Sequence, residues 1–235
     1  MLPNHIGMIL DGNRRFARQL LKKPWEGHLY GLQKAREVVE WACDRGIKYM
    51  TAYTLSLENL HTRPKKELEF ILDNLAKELE EILENNDHVV HKRKVHTRFI
   101  GRIALLPERL QMLMREVQKA TANYKKHILN LAVAYGGQQE IADAARSIAQ
   151  ECVDGKIAPS DIDEKVLGEH LYTNGCPYPD LIIRSGGEQR LSNFLPFQSA
   201  YSELVFTDKK WPELTKKDFE HFLQEYEKRQ RRFGK

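Results

Sequence analysis

The chain has 235 residues, 41% of them hydrophobic and 30% charged, enough for one large core and for a single domain over 1–235. Its net charge of +4 is local: Lys228, Arg229, Arg231, Arg232 and Lys235 fall in the last eight residues, and taking those five from +4 leaves −1, which argues against a nucleic-acid-binding face. Three scattered cysteines without a C-x-x-C pair exclude a disulfide framework, and no run approaches the roughly 20 apolar residues of a spanning helix, so a cytoplasmic protein with at most peripheral membrane contact is expected.

The predicted elements begin with a strand at Ile6 to Leu10, a short apolar run that breaks at Asp11-Gly12-Asn13. From Arg14 the sequence turns basic and helix-permissive, so a buried strand passes directly into a helix. Such a junction leaves N–H groups free at the helix start, Gly12 opens backbone angles closed to other residues, and Arg14 and Arg15 add two charged forks. With Asp11 able to hold a divalent cation against the same anion, the stretch reads as a cradle for a diphosphate and a metal. It also reads as an ordinary strand-to-helix turn with an Asp cap and two solvated arginines.

Gly27 to Arg45 carries Leu32, Ala35, Val38, Val39 and Ala42 at helical spacing and stops at Gly46. Tyr49 to Leu57 is a strand running into a polar turn, Ser56-Leu57-Glu58-Asn59, ahead of Arg63-Pro64. Pro64 opens a helix whose apolar stripe, from Leu68 through Ile71, Leu75 and Leu79 to Leu83, exceeds four turns, with Glu and Lys on the opposite face. That stripe is core, and it is long enough to wall an apolar tunnel. His88, His91 and His96 are irregularly spaced in a polar connection and read as solvated loop histidines rather than metal ligands.

A strand at Val95 to Gly101 follows, then a helix from Pro107 with Leu110, Leu113, Met114 and Val117 on one side. Ile128 to Tyr135 is a nearly continuous apolar strand, Gln139 to Val153 a helix, and Ser160 to Tyr172 a shorter helix with a Ser-x-x-Asp start. Beyond the strand Asp180 to Arg184, the stretch Ser185 to Phe194 is a glycine turn loaded with groups that bind oxyanions. Tyr201 to Phe206 is the last strand, and Thr215 caps the final helix.

Strands alternating with helices throughout imply an α/β fold, a mostly parallel central sheet covered by helices, with ligands beyond the strand C-termini. The polar clusters at Asp11 to Arg15, Ser56 to Asn59 and Arg184 to Ser192 all occupy such ends. Neither G-x-x-x-x-G-K-[ST] nor G-x-G-x-x-G is present, which excludes both nucleotide fingerprints. A basic, glycine-turned rim with a carboxylate beside amphipathic helices suits a substrate with a diphosphate head and an apolar tail, and a generic phosphate-binding domain fits the same residues.

The stretches HIGMILDGNRRFAR, Gly27-His28, SLEN with Arg63-Pro64, NLAVAYGG, IIRSGGEQRLSNFLPFQSAYSELVF and the terminal RRFGK occur in order from Ile6 to Gly234. Together they resemble the cis-prenyltransferases, the undecaprenyl diphosphate synthase family, in the manner of an archaeal or eukaryotic member. DGNRR combined with RSGGEQRLSNF is far more specific than any single motif. The resemblance implies a homodimer with an apolar tunnel, Mg²⁺ dependence, and repeated condensation of isopentenyl diphosphate onto farnesyl or geranylgeranyl diphosphate. The product would be a long cis-polyprenyl diphosphate serving as a glycosyl carrier lipid.

Carried residue by residue, the resemblance makes Asp11 the Mg²⁺-linked carboxylate and gives the allylic diphosphate to Gly12, Asn13, Arg14, Arg15 and His28, assisted by Arg63. Phe16 stands where a Trp is common and keeps an aromatic wall. Arg184, Arg190 and Ser192 match the isopentenyl diphosphate site, and Glu203 matches a second metal-associated carboxylate. Asn59, flanked by Ser56 and Glu58, resembles the polar cluster that assists proton removal. Arg231, Arg232 and Gly234 belong to the tail, which would reach across the dimer.

Three departures stand out. Leu60-His61-Thr62 lengthens the usual ENxxRP interval by one residue, Arg14 replaces a frequent Gly, and the Arg four residues before Gly-His is missing, with Lys22 or Lys23 as a point-charge substitute. A noncatalytic subunit that only binds a partner is a competing class, and a metal-dependent phosphatase is another. Retention of Asp11, Arg15, Arg184, Arg190, Ser192 and Glu203 argues against the scaffold, which has no need of diphosphate ligands.

Overall fold

Six short strands are each separated from the next by a helix or a long loop, and such connections force neighbours to run parallel. The computed structural model describes residues 1–229. Its strands are β1 (His5–Ile9), β2 (Tyr49–Ser56), β3 (Val95–Ile100), β4 (His127–Tyr135), β5 (Leu181–Arg184) and β6 (Glu203–Phe206). They form one all-parallel sheet in the order β3-β4-β2-β1-β5-β6, with Ile6 level with both Met50 and Leu181. The helices are α1 (Asn13–Gln19), α2 (Gly27–Asp44), α3 (Leu57–Thr62), α4 (Lys65–Glu84), α5 (Val89–Lys92), α6 (Glu108–Ala120), α7 (Gly137–Val153), α8 (Glu164–Glu169) and α9 (Lys216–Lys228).

One face of the sheet packs Ile6, Met8, Met50 and Leu129 against α2, α4, α6 and α9, with Leu79 and Val117 fully buried there. The other face carries Ile9, Tyr53, Ala132 and Ile182 and is closed by Phe194 and Leu195, Phe194 stacking on Tyr53 with ring centroids 4.9 Å apart. The expected single α/β sheet covered by helices is the fold observed. Chain order reverses at β1, since β2 lies on one side and β5 on the other. A reversal of this kind opens a crevice beyond the strand C-termini.

Four local expectations are corrected. The polar turn after β2 is the first turn of α3, because the Ser56 hydroxyl accepts from the Asn59 N–H at 3.0 Å and caps a helix. The helix expected from Ser160 to Tyr172 shrinks to α8, because Asp163 and not Ser160 caps it, accepting from the Val166 N–H at 2.8 Å. The acidic face assigned to α4 is incomplete: Glu67 and Glu78 are buried, sharing with Ile71, Leu75 and Ile82 the stripe that faces inward. Nor are the three histidines solvated, since His88 is buried against Glu78, His91 bonds Tyr124 and the Ile82 carbonyl, and His96 bonds the Thr121 carbonyl.

Candidate active site

The crevice forms where the ends of β1 and β5 meet. Asp11 follows β1, and its backbone is fixed by the Trp211 N–H, which donates to its carbonyl at 2.8 Å, and by the Ser185 hydroxyl, which donates to the same carbonyl at 2.9 Å. Its carboxylate accepts from Arg184 at 3.0 Å on one oxygen and from the Gly12 N–H at 2.6 Å on the other, with Arg15 at 3.4 Å. Gly12 has φ 100°, and a Cβ there would lie 2.7 Å from Cβ of Lys210, so only glycine makes this turn. Gly27 lets α2 start against α1, for a Cβ there would sit 2.0 Å from the Asn13 carbonyl oxygen.

Arg184 is only 4% exposed. Besides Asp11 it donates to the Ser192 hydroxyl at 2.8 Å and to the Arg190 carbonyl, yet its Nε has no partner. The 185–194 loop is held in turn by Asn193, in the left-handed region at φ 65°, whose amide donates to Glu58 at 2.8 Å and Gln139 at 3.0 Å. Glu58 is thereby tied to the loop that carries Ser192.

Across the mouth, Glu67 is the buried acid around which three cationic or basic groups gather. Arg63 donates to it, Arg14 lies 3.5 Å from it and His28 3.6 Å. Burial, reinforced by the Arg63 charge and opposed by Glu67, pushes His28 down to about 4, so its ring is neutral and Nε2 accepts from Arg63 at 3.3 Å. Burial also lowers the Arg63 guanidinium from its ordinary value, and its Nε, like that of Arg184, is buried without a partner. Two arginines are thus held at the mouth with N–H groups that an anion would satisfy.

From this mouth a cavity of about 850 Å³ runs between α2, α4 and the sheet, walled by Leu32, Ala35, Ile71, Leu75, Leu79 and Leu131. Of the residues expected in the site, Asp11, Gly12, Asn13, Arg14, Arg15, His28, Ser56, Glu58, Asn59, Arg63, Arg184 and Ser192 all line it. The longer interval before Arg63 does not remove it from the mouth: Arg63 follows α3 directly and lines the cavity.

Phe16 does not line the cavity; its ring packs edge-on against Tyr30, centroids 5.4 Å apart. Arg190 is turned to solvent and paired with Glu188 at 2.5 Å. Glu203 begins β6, level with Leu181 and Ile6 and so roughly 16 Å short of Asp11 at about 3.3 Å per residue, and it pairs with Arg229 at 3.1 Å. One chain therefore does not bring Glu203 to Asp11. Arg231, Arg232 and Gly234 lie outside the described residues. Lys22 bonds Tyr30 and Lys23 sits over Trp25, while Arg18, unremarked in the sequence, reaches the cavity instead. The sequence motifs do not single out Glu67 or Asn193 as site residues, although Glu67 falls in step with Ile71 and Leu75 on α4.

A family model described as "Putative undecaprenyl diphosphate synthase" matches residues 9–234. The chain belongs to the undecaprenyl diphosphate synthase family of cis-prenyltransferases. Two archaeal members named tritrans,polycis-undecaprenyl-diphosphate synthase (geranylgeranyl-diphosphate specific) are similar over all of this chain. That of Methanopyrus kandleri is 48% identical, with 85% of its length covered, and that of Methanocaldococcus jannaschii 46% identical, with 83% covered. Among solved structures, lavandulyl diphosphate synthase from Lavandula x intermedia, in complex with dimethylallyl diphosphate, superposes with a TM-score of 0.93 at 34% identity, covering 100% of this chain and 99% of that one. A structure described as a probable undecaprenyl diphosphate synthase from Campylobacter jejuni has a TM-score of 0.80 at 30% identity with the same coverage. As a cis-prenyltransferase family member the chain is a prenyltransferase.

Proposed function

We propose that the protein extends geranylgeranyl diphosphate with successive isopentenyl diphosphate units, yielding a long cis-polyprenyl diphosphate that serves as a carrier lipid. The observation that carries this reading is the joining of two cationic stations, Arg14–Arg15–Arg63 and Arg184–Ser192, at the mouth of one apolar cavity. The names of the archaeal relatives support geranylgeranyl diphosphate as primer.

The allylic diphosphate would lie over Gly12 and Asn13 between Arg14, Arg15 and Arg63, with its tail in the cavity. Neutral His28 holds Arg63 in place and offers a ring N–H to an oxygen. As the allylic carbon–oxygen bond breaks, charge builds on the leaving diphosphate, and arginines already fixed by Glu67 and Asp11 favour that state over the bound reactant. Arg184, locked by Asp11 and Ser192, would hold isopentenyl diphosphate beside it, removing much of the entropic barrier to coupling. Arg190 would leave Glu188 for the same head group. Asn59, an amide and a poor base, orients the condensed intermediate while a diphosphate oxygen takes the proton.

Asp11 fits a magnesium site: a part-exposed carboxylate at the anion mouth suits an ion held by one or two carboxylates together with substrate phosphates. When bound, Mg²⁺ would neutralise and polarise the leaving diphosphate. Glu203 would take part only if a second copy of the chain brought it to the mouth, which is the role we assign to a homodimer.

The test is incubation of the purified protein with labelled isopentenyl diphosphate, Mg²⁺ and a panel of allylic primers. Butanol-extractable labelled chains, most abundant with geranylgeranyl diphosphate, are the expected result. Phosphate release without chain growth would make it a phosphatase, and turnover only after adding another protein would make it a subunit.

A further inference from the structure

Low in the cavity the walls change character. α2 and α4 both descend from the mouth, His28 lying 3.6 Å from Glu67 at the top and Arg36 pairing with Glu78 about 12 Å lower at 1.5 Å per residue of α2. Glu78 is buried, accepts from Nε of Arg36 at 2.9 Å, and meets Nε2 of His88 at 3.1 Å. Arg36 also donates to Glu81 at 2.8 Å, and the fully buried Thr97 adds a hydroxyl oxygen without a hydrogen-bond partner. Arg36, Glu78, His88 and Thr97 line the same cavity as the apolar wall above them, and beyond lies a further turn faced by Ile82 and Val90.

The chemistry at the mouth uses none of these groups. Above them, each added five-carbon unit gains by leaving water; among them, an alkyl chain would separate charges that answer one another and return no hydrogen bond. We propose that the Arg36–Glu78–His88 cluster is a polar collar that stops the descending tail and so sets the length of the polyprenyl chain released. This rests on the chain-elongating reading above and adds to it the device that ends elongation.

The double variant Arg36→Met/Glu78→Met removes both charges of the central pair together, leaving Glu81, whose side chain is exposed to water, and the His88 ring without those partners. Products from labelled isopentenyl diphosphate are dephosphorylated and sized by reversed-phase chromatography. The readout is the length distribution, which a general loss of activity does not move. The main product is expected to lengthen by one or more five-carbon units. If the double variant does not fold, as judged by its circular dichroism, Glu78→Gln keeps the volume and removes the charge, and is expected to shift the distribution the same way by less. A folded variant with an unchanged or shortened product overturns the proposal. Failure of the unmodified protein to make any chain with any primer overturns the elongation reading, and the collar with it.

Discussion

Asp11 works as a fastener, whatever it binds in the proposed reaction. One oxygen fixes Arg184 and the other meets Gly12 and Arg15, so a single carboxylate sets the positions of two cations, which the proposed reaction assigns to different head groups. Asp11→Ala is expected to lower turnover by about 10²-fold or more, the scale of losing a preorganised electrostatic group, with the circular dichroism spectrum unchanged. Steady-state incorporation of labelled isopentenyl diphosphate measures this, and an unchanged rate removes Asp11 from the mechanism. Glu67 has a different role: it is 2% exposed and holds Arg63, Arg14 and His28 together. Glu67→Leu leaves those groups without their acid and is expected to cost about 3 kcal/mol in urea unfolding, the scale of breaking a buried pair from one side. A loss below about 1 kcal/mol would show that the cluster is held by other contacts.

At the scale of elements, helix ends are legible where a side chain caps them and misread where two caps compete. Thr215 is the cap that the sequence predicts: its hydroxyl accepts from the Asp218 N–H while the Asp218 carboxylate accepts from the Thr215 N–H at 2.9 Å. Thr215→Ala is expected to lower the unfolding free energy by about 1 kcal/mol, and no change would mean that α9 is fixed by packing alone. Ser160 reads as a cap in sequence but Asp163 provides it, because both polar residues precede one apolar run. The parallel sheet and the Asp11 turn could be read because strand length, glycine and charge are local signals. The inward glutamates of α4 could not be read by counting apolar residues: Glu67 and Glu78 are eleven apart, three helical turns, and the groups that answer them come mostly from other elements, Arg14 on α1 and Arg63 ahead of α4 for Glu67, Arg36 on α2 and His88 at the cap of α5 for Glu78. Likewise Arg190 and Phe16 sit in motifs that specify a loop and a helix, but not the direction in which their side chains turn.

For the molecule as a whole, two buried histidines tie stability to pH. Burial holds His5 at about 4, against a hydrogen bond to the Pro177 carbonyl and the Asp180 charge, and His28 is also held at about 4. An unfolded histidine titrates near 6.5, so the unfolded chain binds more protons between these values; stability is complete above about 6.5 and falls as pH drops toward 4. For His5 the loss reaches about 3 kcal/mol across that window, at about 1.4 kcal/mol per pH unit. Glu140, whose pKa is raised by burial, acts with the opposite sign and gains relative stability as pH falls, so the slope should be compared between the protein and a His5→Gln variant. The variant is expected to lose its share of the slope in urea unfolding at pH 4 to 6.5, and identical slopes would mean that His5 takes up its proton in the folded state. Among the described residues no helix is long and apolar enough to cross a membrane. The most direct test is a crystal structure with Mg²⁺ and a non-reactive geranylgeranyl thiodiphosphate. The diphosphate is predicted over Gly12 between Arg15 and Arg63, the metal on Asp11, and the tail between α2 and α4. A head group bound away from Asp11, or a tail lying outside that cavity, would contradict the account.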